Sequence, residues 1–592
     1  MTTISEPTTS SRDAAPIEEP AVPWLEGASA WVLRGPLTVV LGLICLAELI
    51  TWAPNYLTWP WWADHDVFAA MAQAWDDGLL PYRDMLGNNF PGTIYLFWIV
   101  GKLFGWGYTP GFWALDVLFL VALVVLMIVW SRRRFGRYLP AAIGSAAVLG
   151  YYLNLEYSLA AQRDWHAPLF AVLGLMAAQS WPGRIGRLLA ALGLATSLAI
   201  RPQAVLFAPA LLLAVLEGAR RPGAPGRPAL RAAVEWALAT TVFLALWFAP
   251  ILLAGVWQDF LQGVRLTTRR GGYNQLTPAR FARAMLIQLL NVKVGVTAAA
   301  MALLAARAGS STRRTAMTWL VALLCVLAYR PISPLQHVYL SHPLMLIWAV
   351  AVAVLTELVL VRMPGPPSLR LTAVLLVLGL GVAQKPRFCN PIGSYEALTW
   401  LQRGEDPAPC PTGYARNPEI GSAARYEWSD YRAVLDYLRH RIGPETRVAN
   451  VLRHVPALVG PTGRRSVFPA ESVAWLRMVN AKDEPKFVEA LKKCPDSVVV
   501  WAPVEKYLKP FGTRLALLTP VIEELYEPEA RFGKIEVWKR KPAAAAVNRE
   551  AGAPRNILPE CCRGLPLRRA SSGDRDAASR PDLRNPGPEL SH

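Results

Sequence analysis

Charge is scarce between positions 37 and 383 of this 592-residue chain, where apolar blocks such as 112–130 and 234–253 carry almost none. Blocks of that length approach the ~20 residues needed to cross ~30 Å of hydrocarbon. Core helices of soluble proteins are rarely apolar all round, so a soluble multidomain architecture is excluded. Cysteine is scarce too, at seven residues. Cys45 and Cys325 fall inside apolar blocks, where packing is the default role. Cys389 and Cys410 flank a stretch outside the membrane, which leaves both a disulfide and two free thiols open. A cleavable signal peptide is missing as well: the first apolar run begins after Arg34 without a small-residue cleavage pattern. That run is expected to stay in place as the first transmembrane helix. No internal repeat is visible.

What is abundant is basic charge, +18 overall from 61 Lys and Arg against 43 Asp and Glu. Nucleic acid is excluded as a partner, because the basic residues sit in short runs between apolar blocks, as the positive-inside bias requires. Eleven spans are predicted, at 37–54, 112–130, 138–156, 167–182, 187–200, 203–217, 232–254, 285–306, 316–330, 338–360 and 370–384. Arg132–Arg137, Arg184–Arg187, Arg220–Arg231, Arg307–Arg314 and Arg362–Arg370 then all fall on one side, the cytoplasm. The run Thr93–Phe104 is too short to span and contains Lys102, so it is laid along the outer surface.

This reading divides the chain into a disordered cytoplasmic tail (1–34), a transmembrane domain (35–384) with a first external loop (55–111), an extracytoplasmic α/β domain (385–540) and a disordered end (541–592). In the α/β part, Tyr431–Arg441 and Pro485–Lys493 are helix-like. Arg447–Leu452, Ser497–Trp501 and Lys534–Trp538 read as strands.

The first external loop holds Asp64, His65 and Asp66, then Asp76-Asp77-Gly78, Pro81-Tyr82-Arg83-Asp84 and Asn89-Phe90-Pro91-Gly92. Carboxylates directly after a transmembrane helix suit a general base or a hard-cation ligand at the membrane surface; a solvated loop with a helix cap is the plainer alternative. A second external turn carries Arg163-Asp164, a site pair or a simple surface ion pair. The loop 255–283 retains Arg265, Arg269, Arg270, Arg280 and Arg283 on the outer side, with Gly271-Gly272-Tyr273 between them. Arginine forks suit a phosphate, and anionic headgroups are the other reading.

The run D-x-x-V-F-x(8)-D-D-G-x-x-P-Y-R-D, then P-G and an aromatic helix ending L-F-G, resembles the first-loop signature of GT-C glycosyltransferases. The nearest branch is the family 39-like group, similar to protein O-mannosyltransferases and lipopolysaccharide sugar transferases. The resemblance implies an α-helical polytopic membrane protein of about eleven transmembrane helices with a C-terminal extracytoplasmic α/β domain. It implies a polyprenyl-phosphate sugar as donor and a hydroxyl on a lipid, glycan or protein as acceptor. Asp64 matches the catalytic base, and Asp84 and Asp164 match acidic positions near the substrate, with Arg163 beside the latter. Arg269 and Arg270 become donor-phosphate candidates. Arg330, His337 and Tyr339 match an R…H-Y…P turn near the donor phosphate. Metal use varies in the superfamily, so a divalent cation (Mg2+ or Mn2+) between Asp64 and Asp164 stays open. Where the family carries an acidic residue and K-P-P-G, this chain has Gly87 and Asn89-Phe90-Pro91-Gly92. The implied location is the bacterial inner membrane, with the N-terminus cytoplasmic, the C-terminal domain periplasmic and membrane lipids as partners. A transporter or flippase, or a non-catalytic assembly factor for surface polysaccharide, are the alternatives. Charges gathered at the outer helix ends favour surface chemistry over transport.

Overall fold

The computed structural model describes residues 23–155, 157–219, 227–270, 277–332, 338–382, 399, 426–452, 457–502 and 515–542. The amino-terminal part begins earlier than the sequence suggested. Helix α1 (Pro23–Arg34) lies within the stretch read as a tail, with Pro23 opening it and Arg34 in its last turn. Helix α2 (Pro36–Leu57) follows after Gly35. Next come α3 (Ala63–Asp76), α4 (Pro91–Phe104), α5 (Thr109–Phe135), α6 (Leu139–Tyr152), α7 (Arg163–Ser180) and α8 (Arg184–Ile200). The bundle continues with α9 (Ala208–Ala219), α10 (Arg227–Leu253), α11 (Trp257–Arg270), α12 (Pro278–Leu289), α13 (Val292–Ala306), α14 (Ser310–Val326), α15 (His342–Arg362) and α16 (Pro367–Val382).

Every predicted span falls on one or more of these helices. Among the described residues five helical stretches are by themselves long and apolar enough to cross a membrane, and a bent pair makes a sixth. The remaining expected spans are helices of 14 to 18 residues. The chain is a multi-pass membrane protein.

The sequence-based span 285–306 is corrected: α12 and α13 meet at 81°. Leu290 and Asn291 form the break, and the Asn291 side chain accepts from the Lys293 N–H at 3.1 Å, starting α13 as a new helix. The basic segment 255–283 is likewise corrected, since α11 and α12 are helices on either side of residues 271–276, which lie outside the described residues.

Contacts sort the helix ends into two groups. At one end, Arg134 pairs with Glu217 and donates to Thr315, while Arg187 meets Glu235 at 2.7 Å. The arginine runs assigned to one side therefore converge on one end of the bundle. The opposite end carries the first loop and the C-terminal domain.

That domain contains α17 (Trp428–His440), β1 (Arg447–Asn450), α18 (Val459–Thr462), α19 (Ala474–Met478), α20 (Glu484–Lys493), β2 (Ser497–Trp501), α21 (Leu518–Leu525), β3 (Tyr526–Phe532) and β4 (Ile535–Arg540). The sheet order is β1-β2-β4-β3, with β1 and β2 parallel and the other pairs antiparallel. β1 and β2 are buried along their whole length, as expected of strands covered on both faces. The helix and strand segments anticipated here all appear; α18, α19, α21 and β3 were not foreseen. Cys389 and Cys410 lie outside the described residues.

Candidate functional site

The second loop ends where Gln162 turns into α7, and this puts Asp164 in the first helical turn, fully buried. A buried carboxylate needs partners. Arg201, at the end of α8, supplies its Nε to Oδ1 at 2.8 Å, and the Tyr329 hydroxyl donates to the same oxygen at 2.9 Å. The Arg163 Nε stands 3.9 Å from the other oxygen. Arg163 also lies over the Phe68 ring, 5.9 Å from its centroid. Phe68 is one turn beyond Asp64 on α3, so both residues share a face. Asp64 is partly exposed there and within electrostatic reach of Arg163 and of Tyr339. Asp64, the Arg163-Asp164 pair and Tyr339, from three separate stretches of the sequence, thus come together at the end of the bundle that carries the C-terminal domain. Arg201 and Tyr329 join them.

Beneath this cluster lies a second buried carboxylate that the sequence reading passed over. Asp116 of α5 accepts from the Tyr56 hydroxyl at 2.6 Å and the Tyr152 hydroxyl at 2.5 Å, and meets His166 Nε2 at 2.7 Å. The Tyr152 hydroxyl in turn accepts from the Ala161 N–H at 2.9 Å, where Ala161 holds φ +51°. Four helices are pinned through one carboxylate, and the second loop is fastened to them.

The first loop is docked onto the C-terminal domain. Asp66 is fully buried, and its Oδ2 accepts from the N–H groups of Leu458 at 2.8 Å and Val459 at 3.2 Å, while Oδ1 accepts from Gly460. Burial raises its carboxyl to about 6, against the lowering pull of those three donors. Arg465 forks onto Asp77 at 2.6 and 2.7 Å, Gln73 donates to the Gly463 carbonyl, and the Leu86 N–H donates to Pro469 O at 2.6 Å. Gly463 holds φ +64° with its α-carbon against the Trp106 carbonyl, where a Cβ would come within 2.8 Å. α11 crosses the same loop by laying Gly263 on the Gly87 backbone, an approach that a side chain would prevent. Gly87 is thus a crossing point for α11.

The C-terminal domain also brings Glu471 to the site. It is 5% exposed, beside Ser472, and within electrostatic reach of Asp66 and Asp64. Burial first, then these two carboxylates, push its carboxyl up to about 7 from 4.5. The folded protein therefore holds a proton that the unfolded chain releases between about pH 4.5 and 7, and stability falls as pH rises through that window. Glu471→Gln is expected to remove this slope. Relative to the wild type, its unfolding free energy should gain between about pH 4.5 and pH 7 and level off above, at a difference of about 3 kcal/mol, seen as a melting midpoint that rises over the same window. Parallel profiles in a thermal-melt series would show that Glu471 does not titrate in this way.

The other predicted residues stand elsewhere or lie beyond description. Asp84 accepts from the Leu80 N–H at 2.9 Å and closes its own turn, next to Tyr82 at φ +69°. Arg269 and Arg270 occupy the last turn of α11, and their side chains lie outside the described residues, as does His337. Arg330 directly follows Tyr329, partly buried. His65 is fully buried, its Nδ1 accepts from the Trp62 N–H at 3.1 Å, and burial lowers it to about 3, so it is a neutral cap to α3. Arg201 was legible as an arginine stranded between two apolar runs; Tyr329 and Glu471 carried no signal.

As a cation site the arrangement fits poorly. Asp164 faces two guanidiniums, and among the described residues no group of three or more His, Cys, Asp or Glu side chains is placed to hold a metal ion.

No family model matches the chain, and no curated protein matches it. The chain is similar in structure to ArnT from Cupriavidus metallidurans in the apo state, at 14% identity and TM-score 0.43, over 88% of this chain and 99% of that one. It is also similar to an oligosaccharyltransferase from Archaeoglobus fulgidus, solved with zinc and sulfate, at 12% identity and TM-score 0.39, over 84% of this chain and 72% of that one.

Proposed function

We propose that this chain is an inverting glycosyltransferase moving a sugar from a polyprenyl-phosphate donor to an acceptor hydroxyl at the outer face of the bacterial inner membrane. The observation that carries the reading is the juxtaposition of the partly exposed Asp64 with Arg163 and Tyr339, at the seam between an apolar helix bundle and a folded domain. A lipid-linked phosphate reaches such a seam from the hydrocarbon side, and a polar acceptor reaches it from the aqueous side.

The Asp64 carboxylate takes the proton of the acceptor hydroxyl as its oxygen attacks the anomeric carbon. The bond from that carbon to the phosphate oxygen breaks on the opposite face, which inverts the configuration. The phosphate leaves with the bonding pair. Arg163 and Arg201 meet the developing charge, and Asp164 and Tyr329 hold Arg201 in place. The positive charge is assigned to these arginines rather than to a metal.

Arg163→Ala is expected to raise the KM for the lipid-phosphate donor about tenfold or more while acceptor KM changes little, since hydrogen bonds to charged groups contribute roughly 1.5–3 kcal/mol. Arg269→Ala with Arg270→Ala tests the α11 arginines in the same assay. Equal effects on both substrates would return those two residues to headgroup contact. The orientation has its own test. Reporter fusions at Arg134, Arg221 and Arg313 are expected to read cytoplasmic and a fusion at Pro503 periplasmic; a cytoplasmic signal at Pro503 refutes the outer-face placement.

A further inference from the structure

At the arginine-rich end, opposite the candidate site, α1 meets α2, α5, α6, α15 and α16 around a cavity of about 630 Å³. Four arginines line it, Arg34, Arg132, Arg137 and Arg370, and no carboxylate is among the lining residues. Elsewhere at this end arginines meet acids directly, as Arg134 does with Glu217 and Arg187 with Glu235. Here the partners are different. Arg132 caps the Gly136 carbonyl at 2.5 Å and stands over the Tyr138 ring, and Arg370 donates to the Met363 carbonyl at 3.2 Å. Glu357 of α15 acts electrostatically on Arg137 from outside the lining. Four guanidiniums in the lining, with Glu357 and Glu26 outside it, leave a positive excess beside apolar walls that include Leu33 and Leu139.

α1 closes this cavity from the side. Glu26 ties it to the start of α16 through the Ser368 N–H at 3.0 Å and the Ser368 hydroxyl at 2.5 Å. On its outer face Trp24 and Trp31 are 72% and 63% exposed, as expected of an aromatic anchor lying in a membrane interface.

We propose that this cavity binds the phosphate headgroup of an anionic membrane lipid of the adjoining leaflet. Arginine forks suit phosphate oxygens, and the volume falls within the ~300–1,000 Å³ range of small-molecule pockets. The apolar wall and the interfacial α1 favour a lipid over free phosphate, because they accept the upper part of an acyl chain. The inference is independent of the glycosyl-transfer reading, as it concerns the other end of the bundle.

The test uses the full-length protein in detergent, with bound lipid counted by native mass spectrometry during titration. The probes are dioleoylphosphatidylglycerol, dioleoylphosphatidylcholine and inorganic phosphate. Phosphatidylglycerol is expected to bind at one tight site, and Arg34→Gln with Arg137→Gln to weaken that site about tenfold or more. Phosphatidylcholine is expected to miss it, and Arg34→Lys with Arg137→Lys to retain it. Melting in plain detergent reports whether the glutamine protein is folded. If it is not, Arg34→Gln alone, at the exposed rim, serves the same comparison. Unchanged phosphatidylglycerol binding in the glutamine variants, equal binding of phosphatidylcholine, or equal occupancy by inorganic phosphate would each overturn the proposal.

Discussion

Asp64→Asn is expected to lower sugar transfer by roughly 10²–10⁴-fold, the range for loss of a general base, with a melting midpoint close to wild type. The asparagine keeps the size and most of the hydrogen bonding but has no basic oxygen to take the acceptor proton. Stability should hold because Asp64 is partly exposed on the outer face of α3, whereas its neighbours His65 and Asp66 are buried and bonded. The measurement is transfer from a polyprenyl-phosphate sugar by purified protein, alongside a thermal melt. Unchanged transfer would remove the base from the proposed mechanism and leave the first loop a structural element.

Asp66→Ala is expected to fail in the opposite way. Its carboxylate gathers the N–H groups of Leu458, Val459 and Gly460. Without it three buried donors are left with no acceptor, and breaking a buried charged network of this kind costs about 3–5 kcal/mol. The loop and the C-terminal domain should part first, so limited proteolysis is expected to release fragments of that domain well before the bundle unfolds. Activity falls too, but together with stability, which separates this variant from Asp64→Asn. Asp66→Asn, which keeps one accepting oxygen, should lie between the two. A normal melt and a protease-resistant domain in Asp66→Ala would mean that Asp77–Arg465 and Leu86–Pro469 suffice to hold the seam.

Much of the architecture was legible because it rests on short-range patterns. Apolar blocks of membrane length mark the helices of the bundle, and the arginine runs between them sort its two ends. β-branched runs with turn residues nearby marked β1, β2 and β4, and helix-like stretches marked α17 and α20. Single interruptions were harder to read. The 81° break between α12 and α13 rests on the Asn291 cap inside a run that is apolar on both sides. α1 was folded into the tail because the first apolar run was read as beginning only after Arg34.

The candidate site divides along the same line. Its chemical types, carboxylates after a helix and arginines on the outer side, follow from local sequence, and so Asp64, Arg163 and Asp164 were identifiable. Which partners they take is a matter of contacts that span the chain. Asp164 meets Arg201 from 37 residues away and Tyr329 from 165, and Asp66 meets Leu458 across 392. A local window holds no trace of such pairings, because they are set by how helices of fixed length pack and by which buried charge most needs a donor. The sequence by itself determined a multi-pass helical protein with its charge sorted to two ends. Only the tertiary structure decided that Asp66 is a latch while Asp64 faces the seam, since a two-residue step on a helix turns a side chain by about 200°.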